Sequence, residues 1–341
     1  MTLHPSLPAM RIRLARSSPR IHYIALLAAL PLALSFGIAH AASASAPDFP
    51  GSIYVTVQGA NAVEAFPDKR VYSGLTTAHY DAVSRDGKIL IAGSYTTGDV
   101  YIVNTETGDK LATINIGTSV QGVNITPDGH WAVAVDPNGG RVAVIDVKTL
   151  KLAKFIKVGE IPHNVAFTAD SKTAYVTLQG GTGVAVIDLG KLEKVDEIPV
   201  PGVIGPHNLD FSDHGKILWV RDIVGHVAVV DVETKKELAV IPVGHGHAGI
   251  DVIPGGRYVF TGAIADDVVD VIDLKTFKVV KRIQVGKGPH GVRASTDGRY
   301  VYADVTQAND VVVIDTKTLK VVKTLPTVGG NPFWVAVPGH D

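Results

Sequence analysis

One plan recurs along this chain every 41 to 44 residues. Residues 159–200 read GEIPHNVAFTADSKTAYVTLQGGTGVAVIDLGKLEKVDEIPV, and residues 286–327 read GKGPHGVRASTDGRYVYADVTQANDVVVIDTKTLKVVKTLPT. Each copy opens on a Gly-rich stretch carrying Pro-His. A short apolar run follows, then a polar turn with Asp, a second apolar run and a Gly/Asn/Asp-rich loop. A Val-rich run ending in Ile-Asp and a Thr/Lys turn lead to the last run. The anchor position after the opening glycine falls at His79, Gln121, His163, His207, Ala248, His290 and Phe333, seven in all. The ends of the third runs recur in phase, at Asn104, Asp146, Asp188, Asp231, Asp273 and Asp315.

A fixed period of this length restricts the fold to stacked copies of one small unit. Each copy holds four runs rich in Val, Ile and Tyr, separated by turn residues, which is the pattern of strands joined as hairpins. A lone four-stranded sheet cannot bury both of its faces. Radial packing lets each sheet cover its neighbours and leaves only short edges. A linear stack would need polar capping copies, and the sequence has none. The ends point to a closed ring. The last copy stops after one strand (333–337), whereas the N-terminal part supplies three strands (52–57, 62–66 and 70–73) with no first one. Together they complete a seventh blade. The sequence therefore predicts an all-β, seven-bladed β-propeller over residues 51–341, with four antiparallel strands per blade and the C-terminal strand innermost in the closing blade.

Composition removes several function classes. The chain has no cysteine, which excludes disulfides, thiolate metal sites, covalent haem attachment and cysteine nucleophiles. Basic and acidic residues balance at 32 against 33, so no basic surface argues for nucleic acid. Arg11, Arg13, Arg16 and Arg20 precede an apolar run over 23–38, and Ala39-His40-Ala41 supplies a small-x-small cleavage pattern. This reads as a Sec-type signal peptide over 1–41, with a short linker over 42–50. The expectation is a periplasmic, monomeric protein with no membrane span after cleavage.

Tyr54-Val55-Thr56-Val57, Tyr175-Val176-Thr177-Leu178 and the VIDxxTxK turns at 144–151, 271–278 and 313–320 resemble the YVTN-family seven-bladed propellers, across essentially the whole mature chain. The Pro-His strand starts also resemble the d1-haem-binding propellers of the periplasmic nitrite reductase group, which have eight blades. The first resemblance implies the fold. The second implies a d1-type haem as a candidate cofactor. Neither fixes a function, since one fold hosts many.

In a propeller the inner strands start beside the channel at one face, so the anchor positions ring its mouth. Four are His79, His163, His207 and His290, and His247 sits one residue before the fifth. Five imidazoles at one mouth suit a transition metal such as Cu, Zn or Fe, or the axial position of a d1-type haem. The competing reading makes these His structural contacts between blades and the protein an interaction scaffold. A third reading is a haem- or copper-dependent oxidoreductase. A periplasmic protein partner or redox partner is expected under these readings.

Arg221 stands where most copies have a small or apolar residue. It is a candidate clamp for a carboxylate or haem propionate, or a member of a solvated rim with Asp222 or Asp304. Trp334 neighbours the ring and is the tryptophan placed to touch a ligand. Asn124, Asp210, Asp251 and Arg293 recur three positions along the inner strand and are expected to line the channel around water or Ca²⁺. His130, His214 and His340 read as surface residues of turns and tail. No hydrolase, nucleotide or zincin motif is present.

Overall fold

The computed structural model describes residues 51–340. The expected signal peptide (1–41) and linker (42–50) lie outside the described residues. Seven four-stranded antiparallel sheets make up the propeller. Six blades run inner to outer in chain order. The fourth, for example, is Pro206–Ser212, Ile217–Asp222, His226–Asp231 and Lys236–Pro242. The closing blade runs Pro332–Ala336, Ile53–Val57, Ala62–Phe66 and Val71–Ser73. The C-terminal strand is thus innermost, as the repeat arithmetic requires. Two one-turn 3-10 segments, Gln58–Ala60 and Asp213–Gly215, are the only helical pieces among the described residues.

The strand residues explain the packing. Middle strands such as Trp131–Asp136 (WAVAVD) are apolar on both faces because a blade covers each face. The core is accordingly divided between blades. Val133, Val142 and Val144 of the second blade pack on Val165, Val176 and Ala185 of the third. Around the closure, Val63 and Ala336 meet Leu90 and Tyr101 of the first blade, while Ile53 and Val55 meet Tyr302 and Val311 of the sixth. Each such residue contributes roughly 1.5–3 kcal/mol by burial. Outer strands alternate exposed and half-buried positions and are rich in lysine, which blocks edge pairing with another chain. The recurring Ile-Asp ends the third strand because Asp146, Asp231, Asp273 and Asp315 each accept the N–H of the Thr three residues on.

One local feature sets the mouth. Ala78 pairs with Ser94 and Tyr80 with Gly93, so His79 has no partner across the ladder. Pro206 pairs with Asp222 and Asn208 with Arg221, leaving out His207 in the same way. The register also shifts between Pro162 and Val165 and between Pro289 and Val292. A bulge leaves the extra residue unpaired and re-aims its side chain. Here it turns the imidazoles inward, over the channel. The second and fifth blades have inner strands of only three residues, Val123–Ile125 and Ile250–Val252, so Gln121, His247 and Ala248 precede a strand rather than sit in one.

Candidate functional site

All five expected imidazoles, His79, His163, His207, His247 and His290, line one open pocket of about 410 Å³ together with Gln58, Tyr95, Gln121, Gln179 and Phe333. Their rings form an arc. His79 stacks on Phe333 at 4.1 Å and Phe333 on His290 at 3.8 Å between centroids. His290 stands 5.1 Å from His247, His247 4.9 Å from His207, and His207 3.7 Å from His163. Tyr80 forms the floor. It is fully buried, meets His163 and His290 edge-on, and lies against Trp334 at 4.2 Å. Its hydroxyl reaches across from the first blade to Asn208 Oδ1 of the fourth at 3.5 Å. Asn164 Nδ2 donates to the same Asn208 oxygen, and Asn208 Nδ2 donates to the Ala248 carbonyl at 2.9 Å.

The five imidazoles differ in what their nitrogens meet. Both nitrogens of His79 are used, Nδ1 with Gln58 at 2.6 Å and Nε2 with Gln121 at 2.9 Å. His79 therefore ties the first blade to the closing blade and the second. His163 Nδ1–H donates to the His207 carbonyl at 3.0 Å. His290 Nδ1–H donates to the Phe333 carbonyl at 2.9 Å, which leaves its Nε2 as a lone pair, buried and without a partner. Neither ring nitrogen of His207 has a partner, although the residue is 3% exposed. The ring nitrogens of His207, His247 and His290 converge to within 4.8 Å of one another.

Burial keeps these rings neutral. Desolvation pushes His79 and His163 down to about 3. It holds His207 and His290 well below the usual histidine range, with neighbouring histidines adding to the effect. His247, half-buried, is lowered by desolvation and by the Arg221 charge. Neutral imidazole is the form that binds metals. The His290 arrangement, one nitrogen donating to a carbonyl and the other free, is the second-sphere pattern of ligating histidines. A buried polar atom without a partner costs about 1–3 kcal/mol, and this cluster holds three of them, His207 Nδ1, His207 Nε2 and His290 Nε2.

The other sequence candidates fall elsewhere. Arg221 does not line the pocket. It is fully buried, with Asp222 equally buried, because the 222–226 and 244–246 loops fold over it. The solvated rim expected from the sequence is thus a closed buried pair, at 3.0 Å. Asp304 is also buried, without a partner for either oxygen. Trp334 is 2% exposed and lies behind the floor, so Phe333 takes the pocket-facing position beside it. At the far ends of the inner strands, Asp251 receives Arg293 Nη1 at 2.6 Å and has His340 Nε2 at 2.7 Å. Asp210 accepts the Val252 N–H at 2.6 Å. Asp251, Arg293 and His340 thus form an ion cluster, and Asp210 and His340 also line an open pocket of about 530 Å³ at this end. His340, expected on the surface, is buried in the cluster. Tyr80, Gln58 and Tyr95 were not legible as site residues, since in the repeat they occupy ordinary strand and loop positions.

Fold and site together define a seven-bladed β-propeller with a histidine-lined channel mouth. A family model described as Cytochrome D1 heme domain matches residues 218–332, which include His247 and His290, and one described as YNCE-like beta-propeller matches residues 133–255, which include His163 and His207. Among solved structures the chain is similar to Kuenenia stuttgartiensis Hydrazine Synthase, with a TM-score of 0.69 and 22% identity over 77% of this chain and 90% of that one. It is also similar to the dihydro-heme d1 dehydrogenase NirN in complex with DHE, with a TM-score of 0.62 and 19% identity over 85% of this chain and 77% of that one. At these identities the likeness is one of fold. No curated protein matches the chain. Among the described residues no helix is long and apolar enough to cross a membrane.

Proposed function

We propose that this chain is an exported binding protein whose channel mouth takes a copper, zinc or iron ion on His207, His247 and His290. One observation carries the reading: one ring nitrogen from each of three imidazoles lies within 4.8 Å of the others, and both ring nitrogens of His207 and Nε2 of His290 are buried without a protein partner. Three imidazole ligands suit these metals and leave a coordination position open toward the pocket. The protein's part is to hold the donors ready. The Phe333 carbonyl fixes the tautomer of His290. Burial keeps the rings unprotonated, so an arriving ion displaces no proton. His79 is bonded at both nitrogens and serves the frame. Metal handling, or electron transfer with a periplasmic redox partner, is the role this suits. Export rests on the Arg11–Arg20 stretch and the apolar run after it.

A d1-type haem is the second reading, favoured by the match over 218–332. His290 Nε2, buried and without a partner, would hold the iron. The pocket lining includes no lysine or arginine, so the propionates would find no cation there. The residues fit the iron and not the edge of the macrocycle.

The test is elemental analysis and a visible spectrum of the untagged mature protein from its native periplasm, beside a His207→Ala/His290→Ala variant. A stoichiometric metal that vanishes in the variant supports the first reading. A haem band that vanishes supports the second. Colourless, metal-free protein that takes up neither Cu²⁺ nor Zn²⁺ overturns both and leaves a scaffold with structural histidines.

A further inference from the structure

We propose that Arg221 is a positioning residue, which sets His247 in the triad by clamping the 244–246 loop. The inference rests on the metal reading. His207 and His290 are aimed by bulges inside their own inner strands. His247 has no such support, because the inner strand of its blade begins at Ile250. Its loop is held from the neighbouring blade instead. Arg221 Nη2 donates to the Gly244 carbonyl at 2.7 Å and to the Gly246 carbonyl at 2.5 Å. The second of these immediately precedes His247. Arg221 Nη1 is anchored on Asp222 Oδ1 at 3.0 Å and on the His226 carbonyl at 3.2 Å. The Gly244 N–H is held in turn by Asp270 Oδ2 at 2.6 Å. Nη2 thus bonds the two carbonyls on either side of His245 while Nη1 holds the Asp222 and His226 anchor, four acceptors met from two nitrogens of one planar fork, whereas a lysine has three donors on a single atom.

The same position in the other blades, the penultimate residue of each second strand, is Gly93, Val135, Thr177, Gly262, Asp304 and Thr56. Val135 shows that a blade closes there with an apolar side chain. A fully buried ion pair is a poor way to stabilise a fold compared with such packing. The arginine occurs in the blade beside the one histidine of the triad that lacks a bulge.

The test uses Cu²⁺ alone as probe, with pulsed EPR counting the bound imidazoles. Wild type is expected to show three. Arg221→Met is expected to show two and to bind Cu²⁺ roughly 10–100-fold more weakly, the range for losing an outer-sphere support. His247→Ala should match it, and the double variant should lose nothing further. Since Arg221→Met strands Asp222, Arg221→Lys is the parallel variant. It keeps the charge, cannot hold the loop carbonyls and the Asp222 and His226 anchor together with three donors on one atom, and should also show two. Hydrogen exchange of the metal-free protein gives an independent readout. Amides over 243–248 should exchange at least about tenfold faster in either variant, with the other blades unchanged. Three imidazoles at unchanged affinity in both variants, or additive loss in the double variant, overturns the positioning role and leaves the metal reading standing. Wild type that binds no Cu²⁺ on imidazole overturns both.

Discussion

The two ends of the channel are built from the same inner strands and treat their polar groups in opposite ways. At one end Asp251 pairs with Arg293, lies at ion-pair distance from His340 and accepts the Ala294 N–H, and Asp210 accepts the Val252 N–H. At the other, His207 and His290 keep buried nitrogens that meet nothing. A polar group that holds a fold together is bonded within the fold, since leaving it unbonded costs more than the bond returns. The paired end is therefore the structural one. The unpaired end is the one where, under the proposal above, an ion from outside the chain would supply the missing partners.

The largest effect should come from the paired end. Asp251→Ala strands Arg293 and His340 in a buried place and should cost about 3–5 kcal/mol, read by urea denaturation. His207→Phe fills its space and removes nitrogens that bond nothing, so it should cost under about 1 kcal/mol. Equal losses would break the comparison. For binding, the order reverses. His290→Ala should weaken Cu²⁺ or Zn²⁺ binding on the order of 100-fold by competition with a chelator. His79→Gln should change it less than about threefold, because both nitrogens of His79 are already engaged.

The ends should also respond to pH with opposite signs. His79 and His163 fall to about 3 in the folded protein, against roughly 6.5 unfolded. Their contribution is full above pH about 6.5 and is lost as the pH falls toward 3. Asp210 is raised to about 7, by burial first and then by Asp251. Its contribution is present below pH about 4 and lost as the pH rises toward 7. Urea midpoints from pH 4.5 to 8 in wild type, His79→Gln and Asp210→Asn check this. His79→Gln should flatten the acid limb only, and Asp210→Asn the limb approaching pH 7 only. A single limb that moves in both variants would mean that the ends are coupled through the channel. A small effect on stability is expected at the floor. Tyr80→Phe removes two long hydrogen bonds with Asn208 and should cost about 0.5–1.5 kcal/mol, with metal affinity unchanged.

Much of this was written in the chain. The 41-to-44-residue period gave the blades, and the split of strands between the two termini gave the closure. The anchor positions placed His79, His163, His207, His247 and His290 at one mouth, where the structure has them. What could not be read was the work of each. His79 and His290 follow the same bulge, yet one is bonded by Gln58 and Gln121 and the other is left with a free Nε2. The difference lies in residues 21 and 42 positions away from His79, brought alongside only by the packing of neighbouring blades. Arg221 looked like a ligand clamp because its position is small or apolar in most copies, and only the fold of the 244–246 loop shows where its donors go. His340 looked like a tail residue until the tail was seen to end against Asp251.

The sequence by itself determined the number of blades, the way the ring closes and which histidines share a mouth, because strand alternation, turn chemistry and repeat length are local properties that add along the chain. Only the tertiary structure decided which of those histidines are spoken for. Partnership of a buried nitrogen depends on what the neighbouring blade brings within about 3 Å, and no local pattern in the chain encodes that distance.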